Sequence, residues 1–340
     1  EILTRDWSSD VCSSDLSCHK AVCCRCETAR EELIIMKKRR IVAFLSALIM
    51  LAAALAGCRA GASDKRADLL SGGSAVAPLS PDAGFSAAYT DLALKLLSAC
   101  LEDGKNTLVS PLSVMEALAM MANGACGETL GEMERVIGGG IPVSELARYL
   151  AGFAAGGEEL SLANSLWLRE GFDIDEEFLR KCSAFQGAGA YRAPFDRHTV
   201  DDINDWVSEN THGMIKSAVD YDTVRASELL LCNALYFDGK WERRYSDGDI
   251  SDGYFTRESG ARDEVRFMYS EEHSLLTVAG GRGFIKNYDG GNYAFVAVLP
   301  DAGTDISEFV SSLDAAALAE ALKKTTAAVI DARIPELRAE

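Results

Sequence analysis

The sequence predicts an α+β fold, because its first half is mainly helical in pattern and its second half mainly strand-like. Leu229–Phe237 (LLLCNALYF) is apolar except for Asn233, and this nine-residue run indicates a central strand buried on both faces. Pro111–Ala122 is apolar nearly all round, which indicates a buried helix. Short segments between residues 253 and 299 are separated by glycine and charged turns, which is typical of strands.

Helical spacing and capping residues define most elements of the first half. Phe85–Leu101 has apolar residues three or four positions apart, and Ser110-Pro111 supplies an N-cap and a first-turn proline to the helix that follows. Leu160–Leu168 places four leucines and Asn164 on one face of a strand. The remaining predicted elements are strands at Asn106–Val109 and Gly189–Ala193, and helices at Glu128–Ile137, Val143–Ala155, Asp175–Phe185 and Val200–Thr211.

Strands dominate the second half. A turn at Asp238-Gly239-Lys240 ends the apolar run, and Trp241 follows it, where a large ring can cover the end of a sheet. The later predicted elements are strands at Gly253–Arg257, Glu264–Tyr269, Ser274–Val278, Gly283–Tyr288, Tyr293–Leu299 and Thr326–Ile334, and helices at Asp305–Ser312 and Ala315–Lys323.

Polar residues occur at positions that are expected to be buried. Burying an amide without partners costs roughly 1–3 kcal/mol, so Asn164 and Asn233 are both expected to be hydrogen-bonded. Ser110 and Ser113 begin a helix that has no polar face, and their hydroxyls are expected inside the protein. From the residues alone, two interpretations stay open. These groups are either an ordinary core with satisfied amides and capping serines, or a polar cluster with a function.

The first 80 residues are expected to lie outside the globular domain. Residues 36–57 begin with Met36 and a basic run, continue with 16 apolar residues, and lead to Leu55-Ala56-Gly57-Cys58, which resembles a bacterial lipoprotein signal. The resemblance implies cleavage before Cys58, a lipid on its sulfur, and a membrane-anchored protein on the outer face of the cytoplasmic membrane or the cell surface. An uncleaved signal anchor is the alternative. Residues 58–80 are then the lipidated cysteine and a flexible tether.

Residues 1–35 precede that methionine and are interpreted as non-native, because Arg5–Leu16 resembles a translated sequencing adapter. They contain five of the ten cysteines, but their spacing matches no zinc pattern. The cysteines of the globular part are widely spaced, and the sequence does not show whether any of them form a disulfide. They are Cys100, Cys126, Cys182 and Cys232, of which all but Cys126 have contexts typical of buried thiols.

Charge and motifs exclude several classes of function. The net charge of −18 argues against a nucleic-acid partner. Outside residues 1–35, the sequence has no G-x-S-x-G elbow, S-x-x-K, H-E-x-x-H or Walker loop, so we expect no enzyme. His198, His212 and His273 lie in polar, turn-like contexts typical of the surface, and neither a cofactor nor a metal is expected. A solute-binding lipoprotein should show repeated βαβ units, which are not visible.

Several stretches together resemble the serpin family, in the family's order and at its spacing, from about Phe85 to Glu340. They are NTLVSPLS (106–113), ALAM (117–120), GACGET (124–129), LAN (162–164), INDWV (203–207), NTHG (210–213), LCNALYF (231–237), GKW (239–241) and VLP (298–300). The resemblance implies a serpin domain over residues 81–340. It also implies an α+β fold with a large central sheet A, smaller sheets B and C, and about nine helices.

In function, the resemblance implies suicide-substrate inhibition of serine, or sometimes cysteine, endopeptidases by a monomer whose cleaved reactive loop inserts into sheet A as a new strand. It implies that Ser110, Ser113 and Asn233 are shutter residues under that sheet, that Asn164 belongs with them, and that Trp241 is a breach residue at its end. A non-inhibitory serpin that acts as a carrier or chaperone-like binding protein is the alternative.

The family's reactive loop and closing strands are expected beyond Glu340. Arg333–Leu337 resembles the start of a central sheet A strand, so the serpin domain is expected to be incomplete at its C-terminal end. On this interpretation the sequence contains no reactive-site residue, and the target protease cannot be identified from it.

Overall fold

The computed structural model describes residues 76–336, except for residues 103, 155–158, 184, 186–187 and 258. Within these ranges the chain forms nine α-helices, one short 3-10 helix and eight strands, which confirms the predicted α+β class. Residues 1–75, and with them the predicted signal and Cys58, lie outside the described part. The last residues of the expected tether contact a helix, because Leu79 N donates to Arg148 O and Arg148 Nε donates to Ala77 O.

Four helices come before the first strand. They are α1 (Ala83–Cys100), α2 (Pro111–Ala122), α3 (Gly127–Gly138) and α4 (Val143–Ala154). Ser110 caps α2 as predicted, and nine of the twelve residues of α2 are buried, which confirms that it is a buried helix. The predicted strand at Asn106–Val109 is wrong. These residues have no regular structure, Leu108 is 70% exposed, and no described strand pairs with them.

A three-stranded sheet contains the apolar run that the sequence singled out. Its strands are β1 (Leu160–Arg169), β2 (Gly189–Ala193) and β3 (Leu229–Phe237), in the order β2-β1-β3. β1 is parallel to β2 and antiparallel to β3. The connections contain α5 (Glu176–Ser183), α6 (Arg197–Asn210) and α7 (Tyr221–Ala226), the last of which was not predicted.

Helices cover both faces of this sheet. On one face Leu166 and Leu235 pack with Met115 of α2, and on the other Trp167 and Ala234 pack with residues of α6. The prediction that β3 is buried on both faces holds for its middle, Asn233–Leu235, whereas the other six residues are partly exposed. The prediction that β3 is a central strand is wrong for the described residues, because only β1 pairs with it and its other edge has no partner strand there.

A five-stranded antiparallel sheet forms most of the second half. Its strands are β4 (Ile250–Thr256), β5 (Arg262–Val278), β6 (Gly281–Asn287), β7 (Ala294–Pro300) and β8 (Thr326–Pro335), in the order β4-β5-β6-β7 with β8 also on β5. The 3-10 helix is Asp247–Asp249, and α8 (Ile306–Ser312) and α9 (Ala315–Lys323) lie between β7 and β8. In the described residues this sheet is larger than the one that contains β3.

The long strand β5 replaces two shorter predicted strands. The polar residues between Tyr269 and Ser274 were expected to form a turn, but they remain extended because β8 pairs with them. The register shifts between Glu272 and Ser274, which is the sign of a β-bulge. Two different partners, β4 and β6, pair with the opposite ends of this strand. No helix in the described ranges is long and apolar enough to cross a membrane.

Candidate functional site

Two asparagines face each other in the middle of the β1–β3 ladder. Asn164 and Asn233 are directly opposed, and Nδ2 of Asn233 donates to Oδ1 of Asn164 at 2.8 Å. The two residues are 3% and 4% exposed. Directly opposed residues of an antiparallel pair lie on the same face of the sheet, and here α2 covers that face. The expectation that both amides are hydrogen-bonded is therefore confirmed.

Glu116 of α2 belongs to the same polar group, although the sequence analysis did not include it among the site residues. Its side chain is fully buried, and its Oε2 accepts a hydrogen bond from Nδ2 of Asn164 at 3.3 Å. The available signal was one carboxylate in an otherwise apolar helix, one turn after Ser113. Glu116, Asn164 and Asn233, which we call the Asn233 cluster, connect α2 through β1 to β3.

Ser110 and Ser113 form a second polar pair at the start of α2. Ser110 Oγ donates to Ser113 Oγ at 2.9 Å and accepts from the backbone N–H of Ser113 at 3.3 Å. Ser113 is fully buried, which confirms its expected place inside the protein, whereas Ser110 is only half-buried. The two serines bond to each other, and α2 connects them to the Asn233 cluster because Ser113 and Glu116 lie one turn apart.

The outer edge of β3 runs beside the Asn233 cluster. All nine residues of β3 pair with β1 on one side, and no strand among the described residues pairs with the other side. Oδ1 of Asn233 is buried and accepts no hydrogen bond from the described part of the chain. The edge therefore offers backbone N–H and C=O groups and one buried amide acceptor to which a further strand could be added.

Trp241 lies elsewhere, past the C-terminal end of β3. Its ring stacks on Tyr288, with centroids 4.4 Å apart and an interplanar angle of 11°, and it meets the edge of Phe295 at 5.7 Å. Its backbone also forms an isolated β-bridge with Tyr288. The structure thus brings Asn164 and Asn233 together but separates Trp241 from them. A role of Trp241 in strand opening stays a prediction.

Aromatic rings join the two sheets at this end of β3. Phe237, the last residue of β3, meets Tyr288 at 4.8 Å and Tyr293 at 5.2 Å, both edge to face. Gly239 makes this approach possible, because a Cβ there would lie 2.6 Å from Tyr288 Cδ1 and would also overlap the ring of Phe237. The end of β3 is therefore held between its own sheet and the five-stranded sheet.

The opposite face of the β1–β3 ladder carries a thiol and a hydroxyl. Cys232 is opposed to Ser165, whose Oγ accepts from Trp167 Nε1 at 3.0 Å. Burial raises the pKa of the Cys232 thiol to about 12, against the lowering effect of Ser165, and burial also raises the pKa of Cys182 to about 12. Cys100, Cys182 and Cys232 are free cysteines. These raised pKa values, and the raised pKa of Cys100, are those of structural rather than reactive thiols.

The side chains that could perform acid–base or metal chemistry are dispersed. His198, His212 and His273 are exposed, as the sequence analysis expected. Among the described residues, no group of three or more His, Cys, Asp or Glu side chains is placed to hold a metal ion. The expectation that the complete protein uses no metal or cofactor stays a prediction.

Comparison with known proteins identifies the family. The family model described as Serpin (serine protease inhibitor) matches residues 87–340. The native-state crystal structure of the thermophilic serpin tengpin has a TM-score of 0.73 and 33% identity, with 80% of this chain and 72% of tengpin covered. The chain belongs to the serpin family. The latent state of tengpin matches this serpin with a TM-score of 0.69 and 34% identity, over 76% of the chain and 72% of tengpin.

Curated relatives agree with this assignment over a shorter range. Mouse (Mus musculus) neuroserpin is 32% identical over 181 residues, which are 50% of this chain and 44% of neuroserpin. The chain spans about half the length of the first three curated relatives that it matches. Most serpins inhibit proteases, some are non-inhibitory, and the family is not one of catalysts, so the prediction that this serpin is not an enzyme is confirmed. A protease is the general class of partner for the family.

Proposed function

We propose that the complete protein inhibits serine endopeptidases as a suicide substrate, through a loop that the protease cleaves and that then inserts as a strand beside β3. The observation that carries the proposal is the outer edge of β3. It has no partner in the described residues, and it lies directly over a buried cluster of polar side chains. Hydrogen bonds between amides can be exchanged when strands separate, whereas an apolar core offers no alternative partners.

The relatives give independent support. Tengpin has been solved in a native and a latent state, and this chain resembles both structures with TM-scores near 0.7. Two solved states of one related protein indicate that this fold can adopt alternative arrangements. Strand addition to a sheet edge is also a common way in which proteins bind an extended segment.

The test is incubation of the complete protein with trypsin-like and chymotrypsin-like serine proteases, followed by denaturing electrophoresis. We expect a complex that withstands denaturant, because the acyl bond to the protease persists after loop insertion. The same protease with its catalytic serine replaced by alanine is the control and should give no such complex. Cleavage of the protein by every protease tested, without a complex, would contradict inhibition and favour the non-inhibitory binding protein.

We also propose that the protein is exported and held at the membrane by a lipid on Cys58. The signal-like sequence at residues 36–58 supports this proposal. In bacterial expression, we expect the native sequence in the membrane fraction and the Cys58→Ser variant in the soluble exported fraction. Incorporation of labelled palmitate should be lost in the same variant. Palmitate incorporation that is absent from the native sequence, or equal in both proteins, would contradict the lipid anchor and favour an uncleaved signal anchor.

A further inference from the structure

A buried ion pair between β5 and β6 lies near the end of β3. Nζ of Lys286 on β6 approaches Oε1 of Glu272 on β5 to 2.5 Å, and the side chains are 3% and 11% exposed. The same Oε1 accepts from Ser270 Oγ at 2.6 Å, and the hydroxyl of Tyr245 lies 3.2 Å from Ser270 Oγ. We call these four side chains the Lys286 network.

The ammonium group of Lys286 also faces two aromatic rings from the segment after β3. Nζ lies 5.6 Å from the ring centroid of Trp241 and 4.8 Å from that of Tyr245, within the range of cation–π attraction. Tyr245 therefore belongs to the Lys286 network through both its ring and its hydroxyl, and the network contacts Trp241 through the indole ring.

Backbone contacts hold the same segment in place. Asp289 N donates to Lys240 O at 2.7 Å, and Glu242 N donates to Asn287 O at 3.2 Å. These bonds fix where the segment runs but not how the ring of Trp241 is turned. The flat stacking of Trp241 on Tyr288 leaves one face of the indole for other neighbours, and Lys286 is among them.

The energetics indicate a role in geometry rather than in net stability. Two charges removed from water recover little net energy from each other, so apolar residues of equal volume would stabilise the sheet at least as well. A charged pair nevertheless imposes distances and directions that apolar packing does not. Here the ion pair holds the ammonium group of Lys286 facing the rings of Trp241 and Tyr245, and the hydroxyl of Tyr245 lies next to Ser270, in the segment that follows β3.

We propose that the Lys286 network positions Trp241 in the segment that follows β3 and thereby sets how often this end of the sheet opens. Its link to protease inhibition rests on the proposed function, because opening here is a step that strand insertion would use. The positioning itself does not depend on inhibition. Lys286 and Glu272 are positioning residues in this proposal, since they act through Trp241.

Hydrogen–deuterium exchange of the complete native protein, resolved by peptide, tests the proposal. In the double variant Lys286→Met with Glu272→Gln, no unpaired charge remains buried, so the fold is expected to persist. We expect exchange to be about tenfold faster in peptides that cover residues 235–246, because local opening governs exchange there. Peptides from β1, α2 and the first residues of β3 should exchange as in the native sequence.

Matched variants separate positioning from a general loss of stability. Lys286→Arg keeps the charge and the cation–π contact and should leave exchange within about twofold of the native protein. Lys95 and Asp91 form an exposed ion pair on α1, so the double variant Lys95→Met with Asp91→Asn is the control for charge removal and should change nothing near β3.

A milder variant keeps the test decisive if the double variant does not fold. Tyr245→Phe removes only the hydroxyl next to Ser270 and should accelerate exchange about threefold in residues 235–246 alone. Tyr254→Phe, at a residue that is 62% exposed, is its control. Unchanged exchange, or equal acceleration throughout the domain, would overturn the proposal. Because no protease is involved, failure to inhibit leaves this result unaffected.

Discussion

Buried amides in the middle of a strand differ from the leucines around them, because each donor and acceptor needs a partner. Asn233 donates to Asn164, and Asn164 donates to Glu116, so removing one member leaves another without its bond. The Asn233 cluster was only partly predictable. The two asparagines were evident from their places in apolar strands, whereas Glu116 is 48 residues from Asn164 and only the fold brings them together.

Replacing Asn233 with alanine should lower the stability of the fold and also make the outer edge of β3 open more readily. We expect a loss of about 1–3 kcal/mol in the free energy of unfolding, because the Asn164 acceptor loses a buried donor. We also expect faster conversion to a latent form and less inhibition in the complete protein. Urea unfolding and activity after incubation measure both effects.

The exposed Asn292→Ala is the matched control for Asn233→Ala and should be neutral. A double-mutant cycle with Asn164→Ala should give a coupling energy of about 0.5–3 kcal/mol, since the two side chains share a hydrogen bond. If Asn233→Ala left both latent conversion and inhibition unchanged, a role for the cluster in strand opening would be wrong.

Substitutions of Glu116 should distinguish the need for an acceptor from the need for a side chain of that volume. Glu116→Gln keeps an oxygen that Nδ2 of Asn164 can use, and we expect a small change in stability. Glu116→Leu fills the space but removes the acceptor, and it should cost about 1–3 kcal/mol. Chemical denaturation of both variants provides the measurement, and equal stabilities would show that the hydrogen bond contributes nothing.

At the scale of elements, continuous apolar patterns predicted structure best. Leu229–Phe237 was predicted to the residue, because polar residues bound a run that helices cover on both faces. β5 was not, since its polar middle resembles a turn until β8 pairs with it. α7 has only six residues, too few to show helical periodicity. Charged residues in strands are usually exposed, which is why the Lys286 network was missed.

The turn after β3 offers a test of the junction between the sheets. Gly239→Ala should destabilise the protein by about 1–3 kcal/mol, because the added Cβ would overlap Phe237 and Tyr288. Gly248→Ala is a suitable control, since the nearest atom to a Cβ there is 3.7 Å away, and it should cost under about 0.5 kcal/mol. Thermal unfolding compares them, and equal midpoints would mean that the junction adapts freely.

For the whole molecule, the raised pKa values of two thiols and two tyrosine hydroxyls predict that the folded state becomes less stable at alkaline pH. Burial raises the pKa of Cys182 and Cys232 to about 12 from 9.0, and of Tyr89 to about 12 from 10.0. For Tyr149, the hydrogen bond to Asp82 is the main cause of a rise to about 12. The unfolded chain loses these protons first, so it binds fewer protons than the folded chain, and stability falls as pH rises.

We therefore expect the free energy of unfolding to be unaffected by these groups below pH 9 and to decrease from about pH 9 to pH 12. Urea titrations at several pH values measure the slope. The double variant Cys182→Ala with Cys232→Ala should have a shallower slope above pH 9, even if it is less stable at neutral pH. An identical slope in the variant would rule out the two thiols as contributors.

The β1–β3 ladder also has a kinetic consequence. Asn164 and Asn233 are 69 residues apart, and α5, α6, α7 and β2 all lie in the chain between their strands. Pairing across such a separation must wait until the connecting chain has closed a long loop, and folds rich in distant contacts form slowly. The helices before β1 need no such closure, so they can form early. The pairing of β3 with β1, and with it the outer edge of β3, is expected to form late.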